Sequence, residues 1–404
     1  MIWTIAWRNV WRNKKRTGVL IGAILFGVWA GLVQIALSNG MARQQVEAAI
    51  STRTSEIQIH SKGFREHMNV NLVIPGGEGV LERVRSAPEV SAAAGRVVVN
   101  GMASSATSGR GVKIYGVAPA DERRLTDVYT RVVDGTYFDT RRRNPAVIGT
   151  ALAEKLGVEL GKKIVLTSQA TDGSIAAGAF RVVGLFKTAD SGFDETAVFA
   201  VRGDVARIFG LGESLHEIAL NVKDISGIGP AAAALARENP GLEVATWKQL
   251  SPDVAITQES TQQMNDIFLA VILAALVFGI TNTMLMGVLE RTRELGVVIA
   301  LGMRHGPLFA TVLLETVLVS LIGGVAGVAL GAGTIGILGR TGIDLSIVSS
   351  GLAALGLDKV IYPTMPAAQY PGVVLMVIIT AIVASVYPGL KAVRLNPAEA
   401  IRTY

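Results

Sequence analysis

Four histidines, no cysteine and a scatter of carboxylates are the raw material for chemistry in this chain. The lack of cysteine removes disulfides, thiolate zinc sites and cysteine nucleophiles. His60, His67 and Glu66 would need ligand spacing to share a metal, and neither they nor His216 and His305 fall in such a cluster. The histidines read as ordinary strand or surface residues. No G-x-S-x-G elbow marks a serine nucleophile. A phosphate cradle requires G-x-x-x-x-G-K-[ST]. The nearest run, Gly157-Val158-Glu159-Leu160-Gly161-Lys162-Lys163, is one residue short in its glycine spacing and has lysine where the hydroxyl belongs. The chain therefore reads as non-catalytic, with no metal and no cofactor of its own.

The charges that do cluster lie elsewhere. Glu290, Arg291, Arg293 and Glu294 fall within five positions. An apolar run follows from Leu295 through Gly296 and Ala300 to Leu301, and stops at Gly302. Residues 267–289 before it are uncharged and long enough to cross a bilayer, and Pro307 is placed to open the next helix. A mixed-charge, half-apolar helix between two spans suits a membrane surface, with its charges turned to a soluble partner. The plainer alternative is a solvated loop joining two spans. Glu315, about two turns into the next span, is either a proton site or a structural acid. Its place near the helix end, within reach of an arginine such as Arg304, favours the structural role.

Half of the 404 residues are hydrophobic and mean hydropathy is +0.44, which suits a few spans and one sizeable soluble domain. The net charge of +6 gathers beside apolar runs, so it speaks to membrane topology before nucleic acid, which is not an expected partner. Residues 1–16 form an interfacial helix with Trp3, Trp7 and Trp11 on one face. Spans follow at 17–42, 267–289, 307–339 and 370–390. Residues 290–306 link spans two and three, 340–369 form an outer loop, and 391–404 form a tail. The basic clusters put both termini inside and the domain at 43–266 outside. In that domain the stretches at Ser55–His60, Glu78–Ser86 and Glu89–Val99 echo those at His216–Val222, Pro230–Asn239 and Leu242–Thr246. This is a duplicated β-α-β unit. A β-rich insertion at 101–210, with one clear helix at Thr150–Leu156, separates the copies. The expected fold is an α-helical membrane protein with four transmembrane helices and a large α+β extracytoplasmic domain.

The stretch E-R-T-R-E-L-G-V-V-I-A-L-G from Glu290, the basic A-W-R-N-V-W-R-N-K-K-R-T near the start and Y-P-G-L-K-A-V-R-L-N-P-A-E-A-I-R at the end resemble the FtsX-like, MacB-type permeases of ABC transporters. The resemblance covers essentially the whole chain. The stretches Ile59–Arg65 and Trp247–Pro252 bring it nearest to the lipoprotein-releasing permeases. It implies a coupling helix built on Glu290, Arg291, Arg293, Glu294, Leu295, Gly296, Ala300 and Gly302, docked on a cytoplasmic ATPase. Two ATPase copies would hold ATP and magnesium, beside a second permease that is a copy or a relative. It also implies a porter-like outer domain and a bacterial inner-membrane location.

Substrate is the open question. Leu32, Val33, Ile35 and Leu37 end the first span, and Met264, Ile267, Phe268 and Val271 begin the second. Between two facing protomers they would enclose an apolar cleft at the outer leaflet suited to acyl chains, or they simply face bulk lipid. The resemblance favours the cleft and a lipoprotein or lipid cargo, passed to a periplasmic acceptor by transmitted force. The alternatives are a small-molecule or macrolide-type efflux permease and a non-transporting regulator of cell-wall hydrolases. Gly27 and Gly31 in span one, and Gly323, Gly327 and Gly331 in span three, are spaced for close helix packing, within or between protomers.

Overall fold

The computed structural model describes residues 2–138, 143–224, 227–348, 351–352 and 357–394. In chain order, α1 (Ile2–Arg12) and α2 (Lys14–Ala49) precede β1 (Ile57–Ser61), α3 (Phe64–His67), α4 (Gly77–Ser86), β2 (Val90–Ser104), β3 (Gly109–Val117), α5 (Pro119–Leu125) and β4 (Val132–Gly135). Then come β5 (Pro145–Gly149), α6 (Thr150–Leu156), β6 (Lys163–Gln169), β7 (Ile175–Phe186), α7 (Ser191–Thr196), β8 (Ala197–Val201), α8 (Arg202–Phe209) and β9 (Glu217–Val222). The chain closes with α9 (Ile228–Glu238), β10 (Leu242–Thr246), α10 (Trp247–Leu250), α11 (Pro252–Glu290), α12 (Thr292–Ala300), α13 (His305–Thr341), β11 (Ile343–Asp344), β12 (Val360–Ile361) and α14 (Tyr370–Val393). One compact unit comprises residues 1–42, 259–344 and 360–404, and the other comprises 43–258 and 345–359.

Among the described residues, four helices are long and apolar enough to cross a membrane: Lys14–Thr54, Pro252–Glu290, His305–Thr341 and Ala367–Val393. They outrun the uncharged stretches. The interfacial helix expected over 1–16 ends at Arg12, and Lys14, Lys15 and Arg16 already belong to α2. The second of the four begins at Pro252, fifteen residues before the uncharged stretch at 267. A run without charge marks the part suited to hydrocarbon. The helix itself continues as far as good helix formers and an opening proline permit. Residues 290–306 contain a helix only over Thr292–Ala300. The tail beyond Arg394, including the N-P-A-E-A-I-R ending, lies outside the described residues.

The glycines of α13 explain why α2 and α13 sit close. A side chain at Gly323 would press on the Ile21 carbonyl at 3.0 Å, at Gly327 on the Leu25 carbonyl at 2.7 Å, and at Gly331 on Leu32 at 2.8 Å. Gly27 and Gly31 turn to α11, against Leu276 and Ile272. Both glycine series therefore pack helices within one chain.

In the second unit, the strand order β10-β1-β9-β2, with β1 antiparallel to β10 and β9 and β9 antiparallel to β2, is that of two interleaved β-α-β units. Ile57 and Ile59 of β1 and Ile218 and Leu220 of β9 pack with Val80, Leu81 and Val84 of α4 and with Ala231 and Leu235 of α9. Period-2 alternation thus gives one sheet face to the helices, and Gln58, His60 and Glu217 fall on the other register positions.

The insertion is less purely β than its composition suggests. Among the described residues α6 occupies Thr150–Leu156 as expected, and α5, α7 and α8 add three short helices. Six to eight residues are too few to display a helical period. Nor does the insertion begin at a break. β2 runs fifteen residues, from Val90 to Ser104. Its first half pairs with β9 and its second half with β3 and β6, so one strand carries both sheets. Gly157 and Gly161 are turn residues with φ of 63° and 83°, leading from α6 to β6.

Arg96 sits where β2 changes partners and is 1% exposed. Its guanidinium donates to both carboxylate oxygens of Glu122, at 3.0 and 2.6 Å, and to Glu217 at 2.6 Å. Glu217 meets His60 Nε2 at 3.3 Å, and the Thr126 hydroxyl donates to Glu122 at 3.0 Å. Burial works to protonate Glu217, but Arg96 and His60 outweigh it and hold its pKa at about 2. A buried pair whose charges satisfy each other is tolerated, and one stripped of a partner is not. Arg96→Met should cost about 3–5 kcal/mol, read as a lowered melting temperature. Combining it with Glu122→Leu and Glu217→Leu should recover most of the loss. Because the folded pKa of Glu217 is depressed, its stabilisation is complete above the ordinary value of 4.5 and is lost as pH falls toward about 2.

Candidate functional site

The short helix α12 is set off from α11 by one non-helical residue, Arg291, with φ −104° and ψ 13°. It ends in a Schellman turn. Gly302 N–H donates to the Ile299 carbonyl at 3.0 Å and Met303 N–H to the Val298 carbonyl at 3.3 Å. Gly302 has φ +92°, which a glycine adopts without steric cost.

Around this helix six charged side chains interlock. Glu315 of α13 is 6% exposed and Arg291 is 9% exposed. Arg291 Nη1 donates to Glu315 Oε2 at 3.3 Å, and Arg16 Nη2 of α2 lies 3.7 Å from Glu315 Oε1. Arg16 also reaches Glu290 at 3.1 Å. Arg12 of α1 donates to Glu294 at 2.7 Å, and Arg291 donates to the Asn9 carbonyl at 3.2 Å. Three arginines and three glutamates thus tie α1, α2, the α11–α12 break and α13 together. A void of about 30 Å³ beside Arg16, Arg291 and Glu315 is the size of one water molecule. Gly287 makes the arrangement possible, because a Cβ there would meet the Arg16 guanidinium.

This alters the reading of the sequence in two ways. Arg291 does not offer its charge to a soluble partner. It is turned inward because Glu315, buried among apolar side chains, demands a cation. The partners of Glu315 are Arg291 and Arg16, while Arg304 is exposed at the foot of α13. Of the other coupling-helix residues, Gly296 is buried and Leu295 half-buried, whereas Glu290, Arg293, Glu294, Ala300 and Gly302 are exposed. Val297 and Leu301 are also exposed, Leu301 to 83%. With Ala300 they form an uncovered apolar patch at helical spacing. Sequence reasoning missed Asn9, Arg12, Arg16 and Gly287. The i, i+4 spacing of Arg12 and Arg16 was the available signal, but nothing in sequence says which distant acid they meet.

The residues at the outer ends of the first two spans differ in exposure. Leu32 is 1% exposed, packed on Gly331, so it lines no cleft, and Val33, Ile35 and Leu37 are half-buried. Met264, Ile267, Phe268 and Val271 are exposed. Between these two sets Asn265 donates to Asn39 at 3.2 Å. An apolar groove runs between residues 19–30 of α2 and 272–283 of α11. It holds about 420 Å³, with Val19, Ala23, Ala30, Ile272 and Ala275 along it and Thr283 as its one hydroxyl.

Of the histidines, His67 and His305 are exposed, His60 lies in β1 and His216 immediately precedes β9. His60 and His216 are buried, at 2% and 0% exposure, and stack on the two sides of Phe64 at 5.6 and 5.1 Å. Burial lowers the pKa of His216. Among the described residues no group of three or more His, Cys, Asp or Glu could hold a metal.

Known proteins align with this chain. The description "FtsX-like permease C-terminal" matches residues 267–397, and "MacB-like periplasmic core domain" matches residues 17–238. The pyoverdine export ATP-binding/permease protein PvdT of Pseudomonas savastanoi pv. phaseolicola is 28% identical, over 98% of this chain and 58% of that protein. The macrolide export ATP-binding/permease protein MacB of Bdellovibrio bacteriovorus is 28% identical, over 96% and 60%. The lipoprotein-releasing system transmembrane protein LolC of Neisseria meningitidis serogroup B is 23% identical, over 97% and 96%. The chain thus spans 58% of the length of the first of these relatives. Among solved structures, the periplasmic region of MacB from Actinobacillus actinomycetemcomitans superposes with a TM-score of 0.36 and 10% identity, over 52% of this chain and 95% of that one.

Proposed function

This chain belongs to the FtsX/MacB-type ABC permease family, and we propose that it passes ATP-driven movement from a cytoplasmic ATPase to its soluble domain. ATP binding and hydrolysis come from outside these 404 residues, since no phosphate cradle is present within them. The observation that carries this reading is the junction at α12. The helix offers Val297, Ala300 and Leu301 to a partner, while ion pairs at its base tie it to the foot of α13. A docked ATPase that displaces α12 has a direct hold on α2 and α13. In this reading both termini and α12 face the cytoplasm of a bacterium, and the soluble domain faces the periplasm.

We infer a lipid-anchored cargo. The groove between α2 and α11 is apolar along almost its whole length, and each acyl methylene transferred into such a surface gains about 0.8 kcal/mol. LolC supports this reading because the alignment covers nearly the whole of both chains. PvdT and MacB carry export of pyoverdine and macrolide in their names, which favours small-molecule efflux as the second reading.

Two outcomes are expected. Val297→Glu with Leu301→Glu should abolish copurification of the ATPase while the permease still inserts, because two buried charges would face the partner's apolar surface. Unchanged copurification would remove α12 as the docking element. A photocrosslinker at Ala275 should capture a lipid-anchored protein, with the yield falling on ATP turnover. Capture of a soluble small molecule instead would transfer the cargo reading to efflux.

A further inference from the structure

Arg8 and Arg12 of α1 and Arg16 of α2 stand four positions apart in sequence. Arg8 and Arg12 are like charges one turn apart in a single helix, and such pairs repel. Each rung of this ladder therefore calls for an anion, and the fold supplies anions for two of the three. Arg16 is taken by Glu290 and Glu315, and Arg12 by Glu294. Arg8 is exposed and meets no carboxylate among the described residues. The neighbouring sequence offers none, because the first acid of the chain is Glu47. Lys14 and Lys15, just beyond α1, are exposed as well.

The two ion pairs made by Arg12 and Arg16 differ in kind. The side chains of Arg16 and Glu315 are 15% and 7% exposed, so no ligand from solvent or lipid replaces either. Those of Arg12 and Glu294 are 48% and 57% exposed. An ion pair so open to water is weak, and another anion can take the place of Glu294 at little loss. Arg12 is thus the arginine of the junction that is free to change partner.

The rest of α1 fixes the depth of this ladder. Ala6 and Val10 are buried in the helix cluster of the membrane unit. Trp3, Trp7 and Trp11 form a stripe beside them and are 59%, 44% and 43% exposed, with Trp7 and Trp11 edge to face at 6.0 Å. At about 100° per residue the two arginines of α1 stand beyond the tryptophans, on the side away from Ala6 and Val10. Three exposed indoles suit the headgroup region of a bilayer, where the ring meets apolar material and the N–H stays wet. Arg8 and Arg12 then lie level with lipid phosphates.

We propose that the phosphate of an anionic phospholipid fills the empty rung, clamped between Arg8 and Arg12, and takes Arg12 from Glu294. A lipid rather than a free phosphate is the ligand, because the tryptophan stripe holds the clamp at headgroup depth. The uncompensated charge of Arg8, Lys14 and Lys15 selects an anionic lipid over a zwitterionic one. Lipid binding and the Arg12–Glu294 latch are reciprocal. A leaflet rich in anionic lipid loosens α12 from α1, and removing Glu294 tightens the lipid. The buried pairs of Arg16, Arg291 and Glu315 stay as they are, so α12 remains tied to α13. Any consequence for the ATPase rests on α12 being its docking element, as proposed above. The lipid site does not, and its test reads the permease alone.

The test uses the full-length chain without an ATPase. Native mass spectrometry of the chain from micelles doped with equal phosphatidylglycerol and phosphatidylcholine counts each retained lipid. The parent should retain phosphatidylglycerol in preference, and Arg8→Gln should cut that preference about fivefold. Arg110→Gln, in the soluble domain, should leave it unchanged. Glu294→Gln should raise the preference about threefold, because Arg12 is released to the phosphate. The rise should vanish when Glu294→Gln is added to Arg12→Gln, whereas a general effect of surface charge would survive there. In nanodiscs, a nitroxide on Arg293→Cys should become more mobile when half of the phosphatidylcholine is replaced by phosphatidylglycerol. Sodium phosphate added to phosphatidylcholine nanodiscs should not reproduce that change. Equal retention of the two lipids, a Glu294→Gln gain that persists in Arg12→Gln, or a mobility change produced by free phosphate would each overturn the proposal.

Discussion

A carboxylate surrounded by apolar side chains stays charged only where cations reach it, and the membrane unit is arranged around one such acid. Glu315 draws Arg291 inward from the α11–α12 break and Arg16 from the start of α2. Those two arginines in turn meet the Asn9 carbonyl and Glu290. The position of α12 follows from this, since Arg291 immediately precedes it and Arg12 holds Glu294 in its first turn. Taking one partner away would leave an unpaired buried charge, which costs more than the pair itself contributes. The junction is therefore all-or-none, and that property suits an element that transmits displacement. The glycine stripe of α13 extends the same logic along the helix. Side chains at Gly323, Gly327 and Gly331 would hold α2 away, and Arg16 would lose its reach to Glu315.

The soluble domain repeats the device with different residues. Arg96 occupies the position in β2 where the strand leaves one sheet and enters the other, and it satisfies Glu122 and Glu217 at once. The hydrogen-bond chain runs on to His60. A residue that secures the fold thus also sets the orientation of the His60 ring.

Much of this was legible in the sequence and some of it could not have been. Uncharged runs located the four long helices, because hydrocarbon selects composition directly. The paired echoes around Glu78–Ser86 and Pro230–Asn239 disclosed the interleaved β-α-β units, because each strand and helix keeps its own period. The true length of α11 was hidden, since residues 252–266 are polar and a polar helix carries no periodic apolar signal. The three extra helices of the insertion are too short to show one. At the junction, Glu290, Arg291 and Glu294 announced themselves by crowding, but which of them turns inward depends on Glu315, twenty-four positions from Arg291, and on Arg16, far off in sequence. Ion pairing between distant positions has no local signature. The same holds for Leu32, whose burial is decided by the absence of a side chain at Gly331.

The central claim is that Glu315 links α12 mechanically to the rest of the permease. The chain has no cysteine, so a spin label at a single cysteine replacing exposed Ser86, in two copies of the chain reconstituted with the ATPase proposed above, reports on the soluble domains by electron–electron distance measurement. The account predicts that ATP shifts that distance in the parent protein, and that Glu315→Gln abolishes the shift while the ATPase stays bound and still hydrolyses ATP. A full ATP-dependent shift in Glu315→Gln would contradict it.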